Sequence, residues 1–81
     1  MRALLVVAHG SRREQSNDEV RELAARLREQ AGEAYEMVES AFLELAEPSI
    51  PDGIRNAIRA GAGQVTVMPY FLSAGRHVVK D

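Results

Sequence analysis

The stretch "ALLVVAHGSRR" at residues 3–13 decides how the rest of the chain is interpreted. Its first six residues, Ala3 to Ala8, are all apolar and rich in leucine and valine. A run this short is typical of a strand that is buried on both faces. The run stops at His9, and Gly10 and polar residues follow it. The stretch therefore predicts a buried strand that ends in a turn carrying a histidine.

A helical pattern follows this turn from Ser16 onwards. Apolar residues recur at the spacing of one face of an amphipathic helix, at Val20, Leu23, Ala24, Leu27 and Ala31. We expect the helix to end at Gly32, because glycine is common just past the end of a helix. The side chains that can cap its start are those of Ser16, Asn17 or Asp18.

The remaining sequence repeats this order of a strand followed by a helix. Residues 36–44 predict a second strand, and residues 64–71 predict a third. Pro69 is expected to mark where pairing of the third strand stops, because proline has no N–H to donate. Between these strands, Pro51 suits the first turn of a second helix. That helix should end at Gly61 or Gly63, and the residues expected on its apolar side are Ile54, Ala57 and Ile58.

The element order β-α-β-α-β predicts an α/β fold with a parallel sheet and right-handed crossovers, half of a doubly wound sheet. A strand order of 2-1-3 would put the first strand in the middle. At a length of 81 residues, we expect a single domain over residues 1–81.

Composition excludes several classes of function. The chain has no cysteine, which rules out disulfides, thiolate metal sites and cysteine nucleophiles. A net charge of -2 and an aromatic content of 5% do not fit a nucleic-acid-binding surface. The longest apolar run is far shorter than the ~20 residues that span a membrane. We therefore expect a cytoplasmic protein without nucleic-acid or membrane partners.

Three polar residues follow the three predicted strands. His9 comes after the first strand, Glu44 ends the second, and His77 lies in the loop after the third. The carboxyl ends of parallel strands meet at one edge of the sheet, where ligands bind in such folds. Two neutral imidazoles and a carboxylate suit a divalent metal such as Fe²⁺, Co²⁺, Ni²⁺ or Zn²⁺, and they can also accept protons.

Each of these residues also has a purely structural interpretation. His9 could serve as a hydrogen-bonding residue at a strand end, and Glu44 could simply face water. The polar residues around the histidines could bind an anion or form a solvated rim; they are Ser11, Arg12, Arg13 and Arg76. A phosphoryl-transfer role for His9 is disfavoured, since Ala8 stands where the Arg-His-Gly motif of histidine phosphatases has its arginine.

Three motifs resemble those of the small sirohydrochlorin chelatases, the CbiX/SirB type of class II chelatase. They are "AHGSR", "AFLELAEPSI" and "MPYFLSAGRHVVKD", each after one of the predicted strands. The resemblance runs along essentially the whole chain. It implies a three-layer, flavodoxin-like chelatase half that pairs as a homodimer. The family continues past "VVKD" with a further helix, strand and closing helix, so we expect a C-terminally shortened domain.

The resemblance also implies a function. The family inserts a divalent metal, cobalt, iron or nickel, into sirohydrochlorin, and the metal is a substrate rather than an organic cofactor. The two family histidines match His9 and His77, which would bind the metal, and the family carboxylate matches Glu44. Ser11, Arg12 and Arg76 are candidates for binding the carboxylates of the tetrapyrrole. The alternatives are a non-catalytic carrier of metal or tetrapyrrole and an inactive half-domain.

Overall fold

The strands found between residues 1 and 70 form one parallel sheet in the order β2-β1-β3. The computed structural model describes residues 1–70 of the chain. In chain order the elements are β1 (Arg2–Ala8), α1 (Glu14–Ala31), β2 (Met37–Phe42), α2 (Ile50–Arg59) and β3 (Gln64–Pro69). Both the predicted α/β fold and the predicted strand order are confirmed.

The central strand β1 is buried on both faces, as its uninterrupted apolar run predicts. On one face, Leu4 and Val6 pack with Phe42 and with the apolar stripe of α1. On the other face, Leu5 and Val7 pack with α2 residues. The sheet therefore lies between α1 and α2 in three layers. Neither of these helices is long and apolar enough to cross a membrane.

The start of α1 differs from the prediction. The helix begins at Glu14, and Arg13 occupies the N-cap position without a side-chain hydrogen bond to the helix. None of the three predicted caps is the N-cap, because the first helical turn is already closed by bonds from Ser16 and Asn17 N–H to the Arg13 carbonyl. The predicted end is confirmed, since Gly32 caps the helix with φ of 59°.

The second helix begins as its sequence predicts. Pro51 lies in the first turn, and the Ser49 hydroxyl accepts a hydrogen bond from the Asp52 N–H at 3.2 Å. Ala57 is fully buried, but Ile58 is 58% exposed, so its predicted place on the apolar side is wrong. The reason is that the small residues Gly53 and Ala57 face the sheet, and Ile58 is turned about 100° away from Ala57.

Two strands are shorter than the sequence pattern predicts. β2 ends at Phe42 rather than at residue 44, because Phe42 pairs with Ala8, the last residue of β1. β3 ends at Pro69, whose partner is Val7, and the predicted stop at this proline is confirmed. The end of β2 is therefore set by its neighbour β1, which the pattern of the β2 segment alone does not show. The end of β3 coincides with a proline of its own sequence.

The tight contact between α2 and the sheet gives the first prediction. A Cβ at Gly53 would lie 3.1 Å from the Ala41 Cβ and 3.3 Å from a Leu5 methyl carbon. Gly53→Val should therefore push the helix from the sheet and lower the free energy of unfolding by about 1–3 kcal/mol. Urea denaturation followed by circular dichroism measures this.

Gly63→Val is the matched control, because no atom lies within 4 Å of the Cβ position at Gly63. Equal losses in the two variants would contradict the packing argument.

Candidate functional site

The loops that follow β1 and β2 run side by side at the carboxyl edge of the sheet. The Leu43 N–H donates to the Ala8 carbonyl at 2.9 Å, and the Glu44 N–H donates to the His9 carbonyl at 3.1 Å. These bonds continue the contact of the two strands beyond their regular pairing. The predicted site residues His9 and Glu44 are therefore backbone neighbours.

The chain after β3 reaches the other side of β1. The Tyr70 N–H donates to the Val7 carbonyl at 2.7 Å, so the segment leaving β3 starts beside the end of β1. The predicted site residues Arg76 and His77 lie outside the described residues. Between residues 1 and 70, no three histidine, aspartate or glutamate side chains are grouped so that they could hold a metal ion.

The functional groups at this edge face solvent. His9, Arg12, Arg13 and Glu44 are exposed, and Ser11 is partly buried. Exposed imidazole and carboxylate groups can exchange protons and ligands with a substrate that arrives from solution. Exposed guanidinium groups can bind carboxylates, for which their planar fork is suited.

Gly10 allows the two loops to touch. It has φ of 89°, a conformation that residues with a side chain rarely adopt. A Cβ at this position would overlap the carbonyl oxygen of Glu44 and lie 3.4 Å from the Phe42 Cβ. The glycine is thus needed for the close approach of the backbones as well as for the turn.

Asn17 holds the loop that carries His9, a role that sequence reasoning missed. The side chain is 1% exposed, and its Oδ1 accepts from the Ser11 N–H at 2.9 Å. Its Nδ2 donates to the Ser11 carbonyl at 2.9 Å and to Glu14 Oε1 at 3.0 Å. A buried amide with every polar atom bonded fixes the backbone that it contacts.

A signal for this role is present in the sequence. Asn17 precedes Val20 by three residues and Ala24 by seven, so it lies on the buried stripe of α1. An asparagine on an apolar stripe must find partners within the fold, whereas a capping asparagine needs only its own helix.

The Ser11 backbone is committed to these contacts. Its N–H bonds to Asn17, and its hydroxyl oxygen accepts from the Arg13 N–H at 3.0 Å. Of the groups predicted to bind an anion here, the side chains of Arg12 and Arg13 are exposed to solvent.

Hydrogen bonding also changes the ionisation of Glu14. The bond from Asn17, followed by the bond and charge of Arg21, lowers the pKa of the Glu14 carboxyl. Arg21 Nη1 lies 3.0 Å from Glu14 Oε2 in this ion pair.

The close approach of Gly10 to the Glu44 carbonyl predicts how much stability is lost when alanine replaces this glycine. Gly61 has φ of 109° with no atom within 4 Å of its Cβ position, so it is a matched control for backbone strain alone. Gly61→Ala should cost about 1–2 kcal/mol of stability. Gly10→Ala should cost about 1–3 kcal/mol more, because it also forces the two loops apart. Chemical denaturation measures both, and equal costs would refute the close-contact argument.

The lowered pKa of Glu14 predicts a dependence of stability on pH. Because the folded-state pKa lies below the usual value of about 4.5, ionised Glu14 stabilises the fold above that pH. This contribution is lost as the pH falls through the folded-state pKa. Glu14→Gln should therefore weaken the decline in stability between neutral pH and pH 3, and Glu19→Gln is the exposed control. Identical declines in Glu14→Gln and the wild type, measured by urea unfolding, would rule this out.

The chain is similar in sequence to proteins of one family. The CbiX family matches residues 3–81. A sirohydrochlorin cobaltochelatase of Methanococcus maripaludis is 42% identical over 100% of this chain and 55% of its own length. The chloroplastic sirohydrochlorin ferrochelatase of Arabidopsis thaliana is 45% identical over 91% of this chain and 32% of its own length. The chain thus spans about half, or less, of these relatives.

A solved structure agrees with these relatives. It is a crystal structure described as a cobalamin (vitamin B12) biosynthesis CbiX protein from Marinobacter aquaeolei, 36% identical to this chain. It superimposes with a TM-score of 0.65 and covers 100% of this chain and 64% of the other. The family match and these likenesses agree with the fold described above, and the chain belongs to the CbiX family.

Proposed function

We propose that the protein is a metal chelatase that inserts a divalent metal into sirohydrochlorin. The observation that carries the proposal is the hydrogen bond from the Glu44 N–H to the His9 carbonyl at 3.1 Å. It brings an exposed imidazole and an exposed carboxylate to one edge of a sheet in a chain of the CbiX family. The names of its relatives support sirohydrochlorin as the tetrapyrrole.

The chemistry of insertion needs groups of this kind. A divalent metal must lose bound water, and the macrocycle must lose two pyrrole protons as the metal enters. In this proposal His9, together with His77, binds the incoming metal through neutral imidazole nitrogen. A histidine or Glu44 accepts the pyrrole protons, since both groups are bases near neutral pH. The products are the metallated tetrapyrrole and two protons.

Binding of the tetrapyrrole would use the basic rim of the same edge. Arg12 is exposed in the loop that also carries His9, and Arg76 neighbours His77 in the sequence. Their guanidinium groups would bind the carboxylates at the periphery of the macrocycle, and the hydroxyl of Ser11 could donate a further hydrogen bond. The flat macrocycle would then lie over the end of β1.

The metal is cobalt in this proposal, with iron and nickel as the next candidates. Relatives carry the names of cobaltochelatases and of a ferrochelatase, and histidine and carboxylate ligands accept all three metals. Selectivity then depends on the supply of metal and the geometry of the site. The proposal also includes a homodimer and a cytoplasmic location, which follow from the resemblance and the composition described first.

The test is an absorbance time course of the intact protein with sirohydrochlorin and Co²⁺. The free-base spectrum should be replaced by that of the cobalt complex faster than in buffer. His9→Ala and His77→Ala should each slow the reaction by about 100-fold or more, since each removes a ligand or proton acceptor. Glu44→Gln should also slow it, and Glu39→Gln, which alters another exposed glutamate of the same β-α unit, should not.

A folded wild-type protein that binds Co²⁺ and sirohydrochlorin without joining them would refute a chelatase and indicate a carrier. Full activity in His9→Ala would refute the assigned site.

A further inference from the structure

Arg21 joins groups from three segments of the chain. Its Nη1 donates to Glu14 Oε2 at 3.0 Å and to Asp18 Oδ1 at 2.9 Å. Its Nη2 donates to the Glu47 carbonyl at 3.2 Å, and its guanidinium carbon lies 5.2 Å from the centre of the Phe42 ring. The side chain is 34% exposed, so these contacts lie partly out of water. One guanidinium therefore connects α1 to the end of β2 and to the loop beyond it.

These contacts extend into the loop that carries His9. We name residues 9–13 the histidine loop and residues 43–49 the glutamate loop. The histidine loop is held at Ser11 by Asn17, Asn17 is bonded to Glu14, and Glu14 is bonded to Arg21. Arg21 then holds the glutamate loop at the Glu47 carbonyl. A continuous chain of polar contacts thus runs from one loop to the other.

The two loops are also in direct contact through the backbone. The Glu44 N–H to His9 carbonyl bond is the direct link, and Gly10 permits it by lacking a side chain. This bond alone does not fix the position of the loops on the sheet, because both loops could move together without breaking it. The contacts of Asn17 and Arg21 tie both loops to α1, which is packed on the sheet and gives them a common reference.

Arginine is required for this arrangement. Its planar fork can donate to two carboxylates and a carbonyl at once while stacking over an aromatic ring. Lysine would carry the same charge, but its three donors come from one nitrogen, whereas Arg21 reaches the two carboxylates through Nη1 and the Glu47 carbonyl through Nη2. An ammonium group also has no planar face to stack over Phe42. The contacts therefore depend on the shape of the group as well as on its charge.

We propose that Arg21 is a positioning residue for the reaction, holding the histidine loop and the glutamate loop in register through Glu14 and Asn17. It thereby fixes the separation of His9 and Glu44, and the inference rests on the proposed chelatase function. Groups that must bind a metal and accept protons together are sensitive to displacement, and an error of about 1 Å can cost 100-fold in rate.

The test replaces Arg21 with lysine in the intact protein and compares it with Arg26→Lys. Arg26 lies on the same helix, is 71% exposed and contacts only the Glu22 carboxylate among the ion pairs of residues 1–70, at 3.8 Å. Arg21→Lys should lower kcat for Co²⁺ insertion by about 10-fold or more, with KM for Co²⁺ changed by less than about twofold. Arg26→Lys should leave both constants unchanged.

Amide hydrogen exchange gives a readout that does not need the reaction. The Glu44 N–H should exchange about 10-fold faster in Arg21→Lys, because the glutamate loop loses its bond to α1 at the Glu47 carbonyl, while the amide of Val20 in α1 keeps its wild-type rate. Glu14→Gln is the second variant, and adding it to Arg21→Lys should change kcat little further, because both act on one chain of contacts.

Each outcome decides a separate point. Wild-type kcat and wild-type Glu44 exchange in folded Arg21→Lys would overturn the positioning role. A lower melting temperature with unchanged kcat per folded protein would also overturn it, leaving a structural role alone. An inactive wild-type protein would overturn the proposed function instead, and Glu44 exchange would still decide whether Arg21 couples the loops.

Discussion

The pairing of β1 with a parallel strand on each side is the constraint on which the rest of the structure depends. Because all three strands point the same way, the loops that follow them emerge at one edge of the sheet. The ladders end at adjacent residues of β1, at Ala8 opposite Phe42 and at Val7 opposite Pro69. The residues that follow these ends are brought together although they are far apart in the chain. Pairing on both sides keeps this alignment, since a shift of β1 by one residue would change its register with β2 and β3 at once and turn each of its side chains to the other face.

The sheet alone does not determine where side chains lie beyond its edge. Regular pairing stops at Ala8, and three kinds of contact continue the order into the loops. Gly10 permits backbone contact with Glu44, Asn17 binds the backbone of Ser11, and Arg21 reaches the Glu47 carbonyl. The polar part of this arrangement is built from α1, so the helix both covers the sheet and orders the loops at its carboxyl edge. An exposed site can thus be supported by groups that are partly or wholly buried.

The sequence predicts the features that depend on residues close together in the chain, and it misses those that depend on contacts between distant segments. β1 and the element order were predictable, because the apolar run of Ala3–Ala8 and the helical periods are local patterns. The adjacency of His9 and Glu44 followed from topology. The role of Asn17 was missed, because a capping preference describes bonds within the residue's own helix. The side chain of Asn17 instead bonds to the backbone of Ser11, six residues earlier and outside the helix. Arg21 could not be identified from the sequence, because its acceptor at Glu47 is a backbone atom that carries no side-chain signature. Arg76 and His77, which complete the predicted site, lie outside the described residues.

The central place of β1 has a consequence for how the chain acquires its structure during synthesis. β1 is made before both of its partners, and its apolar residues gain their full set of neighbours only when β3 has left the ribosome. Until then, β1 and β2 with α1 can form a βαβ unit, and one side of β1 keeps unpaired backbone groups. Parallel pairing between distant segments is slow compared with helix formation. A nascent chain that pauses between α2 and β3 would therefore expose an apolar strand edge, and molecular chaperones have most to protect during that interval.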